Sequence, residues 1–305
     1  MKKIIALILV LTLSVFAFAA CGNKNKGPEE KTYYLSLVVD GGAGEASLSY
    51  GTYEVAPHVA AVVTDADGKI VAVRFDCAQT KFNFEDGALV AIDRVTTKVE
   101  LKEAYGDMPA GTWYKQAQAF ENHVIGMTKA DIEALDLNAI AGCTMKGTNP
   151  VFQALILKAL AYERKVEFKT TETNITLGVA IDANLAATED GAQFNANYGA
   201  VAFAGDKVAA AMLDETQTTL AITDGEVSVT TYKGSKNEQG ESYVMPAGTW
   251  YKQAQGYCTT AVGKTLAELA NLDAVKTDAL VAAGCTMNNV AGYYAVLNNA
   301  GKYAR

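Results

Sequence analysis

Two five-residue strings in this 305-residue chain are identical, Ala141-Gly142-Cys143-Thr144-Met145 and Ala283-Gly284-Cys285-Thr286-Met287. Each sets a glycine, a thiol and a hydroxyl just ahead of a segment whose apolar period reads as a helix. Small residues let another group approach the backbone, and the free N–H groups at a helix start favour a phosphate. A threonine in that setting is well placed to carry one, so Thr144 and Thr286 are candidate binding residues, with Gly142, Gly284, Cys143 and Cys285 as their surroundings. The same string also reads as a tight turn whose small buried thiol packs beneath the last helix.

Other chemistry is scarce. His58 and His123 have no counterparts in the second half and are expected at the surface; no shared Ser/His/Asp, Cys/His or paired-carboxylate set is visible, which disfavours a hydrolase. Cys77 matches Glu215 and Cys258 matches Glu121, so only Cys143 and Cys285 are common to both halves, and a repeated disulfide framework is excluded. No cysteine or histidine spacing suits a metal.

The elements that must position these loops repeat as well. Met108-Pro-Ala-Gly-Thr-Trp-Tyr-Lys-Gln-Ala-Gln118 returns unchanged over residues 245–255. Ahead of it, residues 33–39, 59–64 and 69–75 alternate as strands, with Asp65-Ala66-Asp67-Gly68 as a hairpin turn; a second hairpin, over 82–92, turns at Asp86-Gly87. Unit two repeats this plan at an offset of 138, and an antiparallel meander with one buried face is the simplest reading. Trp113, Ala117, Phe120 and Val124, like Trp250, Ala254, Tyr257 and Ala261, mark a helix with Thr112 or Thr249 as N-cap. A short helix opened by Thr128-x-x-Asp131 or Thr265-x-x-Glu268 follows, then the shared loop, then a last helix, which in the first unit Asn149 caps and Pro150 begins. The fold class is therefore α+β: two tandem repeated domains, residues 33–165 and 166–305, each a β-meander followed by three helices. Residues 166–174 join them without a Pro- or Gly-rich linker, so the units are expected to touch and to fold separately.

Residues 1–20 read as an export signal, Lys2 and Lys3 leading an apolar run, and Phe18-Ala19-Ala20-Cys21-Gly22 resembles the lipobox of bacterial lipoproteins. That resemblance implies lipidation at Cys21 and a polar tether over residues 21–32, holding the protein at the outer face of the cytoplasmic membrane. The formal net charge of −8, with no basic stripe, argues against nucleic acid as a partner.

The loop with its following helix, preceded by a hairpin containing Asp-Ala-Asp-Gly-Lys-Ile, resembles the FMN-binding domain family of ion-pumping redox complexes and extracellular electron-transfer lipoproteins. That family carries a D-x-x-S/T-G-A-T/S motif whose last hydroxyl is esterified to the phosphate of FMN by a flavin transferase. The resemblance implies covalent FMN on Thr144, in the string Asn138-Ala139-Ile140-Ala141-Gly142-Cys143-Thr144, and on Thr286, with redox partners outside the membrane. Asn138 replaces the motif's acid, Ala141 its Ser or Thr, and Cys143 its Ala; Leu280 holds the acid position in unit two, leaving unit one the closer match. Trp113-Tyr114 and Trp250-Tyr251 are candidates to stack on the flavin ring, and Lys115 and Lys252 to face its phosphate, though core and solvated positions are the simpler expectation. The alternative is a cofactor-free lipoprotein whose duplicated domains bind a small ligand or a wall component.

Overall fold

A strand with one buried face alternates apolar and polar residues, but Val59-Ala60-Ala61-Val62-Val63 does not. The computed structural model gives the reason: the sheet carrying this strand is covered on both faces. The structure describes residues 28–49, 52–85, 88–106, 108–189, 191–223 and 226–305. The export signal, Cys21, and the Asp86-Gly87 and Asp224-Gly225 turns lie outside the described residues.

Residues 31–305 form one compact unit of mixed α and β structure. In the first half, strands β1 (Lys31–Val39), β4 (His58–Asp65) and β5 (Ile70–Cys77) form an antiparallel sheet, with Leu37 opposite Ala61 and Val62 opposite Val73. The Asp65-Ala66-Asp67-Gly68 turn forms as expected: Asp65 accepts from the N–H groups of Asp67 and Lys69, and Gly68 takes φ +77°. Its fourth strand, β9 (Val166–Thr170), comes from the head of the second half and pairs with β1, giving the order β5-β4-β1-β9. A small side sheet joins β2 (Ser47–Ser49), β3 (Thr52–Val55) and β6 (Thr80–Phe82), and β7 (Phe84–Glu85) pairs with β8 (Ala88–Leu89). The expected second hairpin is thus reduced: Phe82 pairs with Tyr53, and Ile92 makes an isolated bridge to Leu185. In the second half β10 (Ile175–Thr188), β11 (Gly191–Ala204), β12 (Lys207–Thr223) and β13 (Glu226–Thr231) form a sequential antiparallel meander. Here β12 runs unbroken through the place where the first half folds into its short strands.

The two sheets pack face to face. Leu35, Leu37, Val59, Ala61 and Val63 share one core with Val179, Ile181, Phe194, Ala200 and Met212. The expectation of one buried face per meander is therefore corrected, because the opposite faces are covered as well. Ala60, Val62, Val73 and Phe75 bury against α2 (Trp113–His123) and α4 (Asn149–Ala161). Ala180, Val201, Ala211 and Leu213 bury against α6 (Trp250–Thr259) and α9 (Ala291–Lys302). The layers run helices, sheet, sheet, helices. Helix α9 approaches so closely that a Cβ on Gly178 would lie 1.8 Å from the Ala300 carbonyl oxygen, so only glycine fits there.

The remaining described helices are short: α1 (Lys98–Leu101), α3 (Lys129–Glu133), α5 (Lys236–Gln239), α7 (Leu266–Leu269) and α8 (Asp278–Ala282). The capping boxes at Thr128/Asp131 and Thr265/Glu268 form as expected. Helices α1, α5 and α8 are additional to the expected three per unit. The two-residue strands β14 (Val244–Met245) and β15 (Gly248–Thr249) lead into α6.

Candidate functional site

The two repeated strings meet in space. Gly142 (φ +77°) and Gly284 (φ +91°) turn the chain in the left-handed region that favours glycine, and the next two residues fold back onto the Trp helix. Gln116 on α2 is fully buried, and its Oε1 accepts from Thr144 N–H at 2.7 Å and from the Thr144 hydroxyl at 3.2 Å. Gln253 on α6 takes the same two bonds from Thr286, at 3.1 and 2.7 Å. Each amide oxygen thereby fills both lone pairs with one threonine. Gln116 is fixed further by donating to the Gly111 carbonyl at 2.8 Å.

The thiols lie underneath. Cys143 and Cys285 are buried, and burial pushes both thiols up from their ordinary pKa, which keeps them protonated and makes them packing groups rather than nucleophiles. Cys143 donates to Asn149 Oδ1 at 2.9 Å, while Asn149 donates to the Leu137 carbonyl. Asn149 is therefore not the cap of α4: it is the first helical residue, after Thr148, and its side chain braces the loop. Thr112 and Thr249 stand at the N-cap positions of α2 and α6 but make no capping bond, and both hydroxyls are buried without a partner.

The halves differ in what opens beside the threonine. Thr144 is exposed and, with Asn138, Cys143, Lys146 and Pro150, lines a cavity of about 350 Å³. Asn138 is exposed there and bonded to Asp136. Thr286 is half-buried and lines a cleft of about 1000 Å³. Three lysines, Lys233, Lys236 and Lys276, face this cleft against one carboxylate, Glu215. Leu280, at the position corresponding to Asn138, is fully buried.

The floor of the cleft is a polar chain. Lys236 Nζ bonds Glu215 Oε1 at 2.6 Å, Tyr293 donates to Glu215 Oε2 at 2.8 Å, and Trp250 Nε1 donates to Tyr293 Oη at 2.7 Å. Lys236 also stands 4.8 Å from the Tyr243 ring centroid and 5.5 Å from that of Trp250, in range of cation–π attraction. In the first half Lys98 keeps the same aromatic partners, Tyr105 at 4.7 Å and Trp113 at 5.5 Å. There Cys77 stands for Glu215 and Phe152 for Tyr293, and Trp113 Nε1 is buried with no partner. Trp113 packs edge-on against Phe152 and belongs to the core.

Two matched aspartates hold these lysines in place. Asp76 Oδ1 accepts from Cys77 N–H and Val99 N–H, and Asp214 Oδ1 from Glu215 N–H and Asn237 N–H. Each pins a capping-box helix, α1 opened by Thr97/Glu100 and α5 opened by Ser235/Glu238, to the strand beneath it. Burial pushes both carboxyls up to about 7.

Other expected residues are placed as follows. Lys115 pairs with Glu103 and Lys252 with Glu241, all exposed. His123 is exposed, but His58 is not a surface residue: its side chain is 15 % exposed and its Nδ1 lies 2.9 Å from Asp40 Oδ2. Register sets Cys77 opposite His58, so the fold assembles a Cys/His/Asp group that sequence spacing does not reveal. Burial opposes charge on His58, and the facing Cys77 and Asp40 outweigh it, raising its pKa to about 10. Cys77 is completely buried. Among the described residues no helix is long and apolar enough to cross a membrane, and no group of His, Cys, Asp and Glu is placed to hold a metal ion. Compared with known proteins, the chain matches no family model, no curated protein and no solved structure.

Proposed function

We propose that this chain is an extracytoplasmic lipoprotein, anchored through Cys21, built from two copies of one unit packed sheet to sheet, and that it holds an anionic, ring-bearing group in the cleft beside Thr286. FMN esterified to Thr286, for electron transfer, is the form of that group the sequence resemblance implies. The observation that carries this reading is the cleft itself: in an acidic protein it gathers Lys233 and Lys276 beside the Glu215-paired Lys236, the half-buried ring of Tyr243 and the hydroxyl of a repeated threonine. Its volume lies within the range of cofactor sites, roughly 300–1,000 Å³.

The residues present fit FMN. Esterifying Thr286 removes the hydroxyl as a donor, but Gln253 Oε1 keeps the Thr286 N–H, so no buried acceptor is left empty. Lys233 and Lys276 would neutralise phosphate charge, and half-buried Tyr243 would offer its ring, whereas Trp250 is buried in the core beneath. Flavin, when bound, supplies one- and two-electron chemistry; the protein's part is orientation, charge and exclusion of water. Sequence similarity ranks Thr144 ahead of Thr286, whereas the cleft and its polar floor favour Thr286.

Co-expression with an exported flavin transferase tests this. In-gel flavin fluorescence and intact mass are expected to give a label that survives denaturation, mostly lost in Thr286→Ala and little changed in Thr144→Ala. Wild type without label under an active transferase would remove the covalent reading and leave the second one, a non-covalent binding lipoprotein, which the same lysine-rich cleft supports. Cys21→Ser is expected to release the protein from membranes; continued retention would refute the anchor.

A further inference from the structure

A second cavity, of about 410 Å³, opens where the two halves join. Arg164 and Lys165 line it from the link after α4, Met212 and Leu213 from β12, and Tyr251 from α6; no carboxylate lines it. The Arg164 guanidinium lies 5.1 Å from the Tyr251 ring centroid and donates to the Asn237 carbonyl at 2.7 Å. The Tyr162 hydroxyl is buried beside the Arg164 side chain.

The first half shows what such an arrangement holds when it is closed. Arg305 follows α9 as Arg164 follows α4, and its guanidinium lies 5.1 Å from the ring of Tyr114, the residue matched to Tyr251. There the fully buried Glu121 carboxylate bonds Arg305 Nη2 at 2.5 Å, Arg74 Nη1 at 3.4 Å and Phe75 N–H at 3.1 Å. In the second half Cys258 stands for Glu121 and Met212 for Arg74. The internal carboxylate and one arginine are gone; Cys258 is buried in the core, and a cavity lined by Met212 opens beside the remaining arginine.

We propose that this cavity binds an amphiphilic anion, its charged head meeting Arg164 and the Tyr162 hydroxyl and its apolar part lying on Met212, Leu213 and Tyr251. The head supplies from outside the negative charge that Glu121 supplies in the first half, and the guanidinium fork suits a carboxylate or phosphate. Lys252 is already paired with Glu241, so Arg164 and Lys165 carry the attraction. This site is separate from the Thr286 cleft and does not depend on what that cleft holds.

Decanoate, below its micelle-forming concentration, is the probe. Calorimetric titration of the purified chain is expected to give one site, with acetate (no apolar part) and decyltrimethylammonium (opposite charge) failing to bind. Arg164→Gln is expected to weaken decanoate by roughly ten-fold or more while the variant keeps the cooperative melting transition of wild type. Lys276→Gln, in the other cleft, should leave it unchanged. Decanoate binding no tighter than decyltrimethylammonium, equal affinity in Arg164→Gln and wild type, or loss only in Lys276→Gln would each overturn the proposal.

Discussion

Gln116 and Gln253 each take two hydrogen bonds from one threonine, and this pairing is the physical link between the two repeated strings. Gln116→Leu removes the acceptor for a backbone N–H and a hydroxyl at once, so it is expected to cost about 1–3 kcal/mol of stability, measured by urea denaturation. Thr144→Ser keeps both donors and should cost less than about 1 kcal/mol. Equal losses in the two variants would mean that the hydrogen bonds are not what holds the loop. The sequence makes both strings conspicuous but is silent on their contact, because residues 116 and 144 are joined by no local period. The thiols were legible as packing groups for the opposite reason: a small residue between glycine and an apolar helix has few other places to go. Thr112 and Thr249 have cap-forming side chains at cap positions, yet neither hydroxyl makes the capping bond.

At the scale of elements, the joint between each long strand and its capping-box helix depends on a buried aspartate. Asp76 and Asp214 ordinarily titrate at 3.8 and are raised by burial to about 7. The folded state therefore binds more protons than the unfolded state between those values, and the stability this gives is present below about pH 4 and lost as pH rises through 7. Each group contributes on the order of a few kcal/mol. Asp131 and Glu268, held below the ordinary carboxylate range by their capping threonines, act with the opposite sign and only at acid pH. The melting temperature is thus expected to fall between pH 4 and pH 7, and the Asp76→Asn, Asp214→Asn double variant to flatten that slope. Parallel slopes for variant and wild type would contradict the assignment. Helices α1 and α5 carry their signatures, Thr97-x-x-Glu100 and Ser235-x-x-Glu238, in plain view; at four residues they have no apolar period to mark them as helices, so the lysines they position could not be connected to the cleft.

Across the whole molecule, the layer between the sheets belongs to both halves. The long apolar run of β4 and the small-residue pattern of β11, Ala192, Ala196, Ala200 and Ala202, encode close sheet-to-sheet packing. That pattern is readable as burial but not as burial against a particular partner, which is why separate folding of residues 33–165 and 166–305 is the natural sequence-based expectation. The shared core and the β1–β9 pairing lead to a different one: the intact chain unfolds in one cooperative transition, and either half expressed alone exposes this face and aggregates or melts without cooperativity. Calorimetry of the three proteins checks this; two well-behaved halves with the melting temperatures of two resolved transitions in the intact chain would refute it.

The central claim is that the cleft beside Thr286 holds an anionic, ring-bearing group. Intact mass of the protein isolated from its native host, followed by peptide mapping, tests it most directly. The expected result is the mass of one FMN less water on the peptide containing Thr286, or, if attachment is non-covalent, a ring-bearing anion released on denaturation and rebound by wild type but about ten-fold less tightly by Lys233→Gln, Lys276→Gln. Protein that carries neither adduct nor released ligand, and whose lysine variants bind FMN and related anions no differently from wild type, would contradict it.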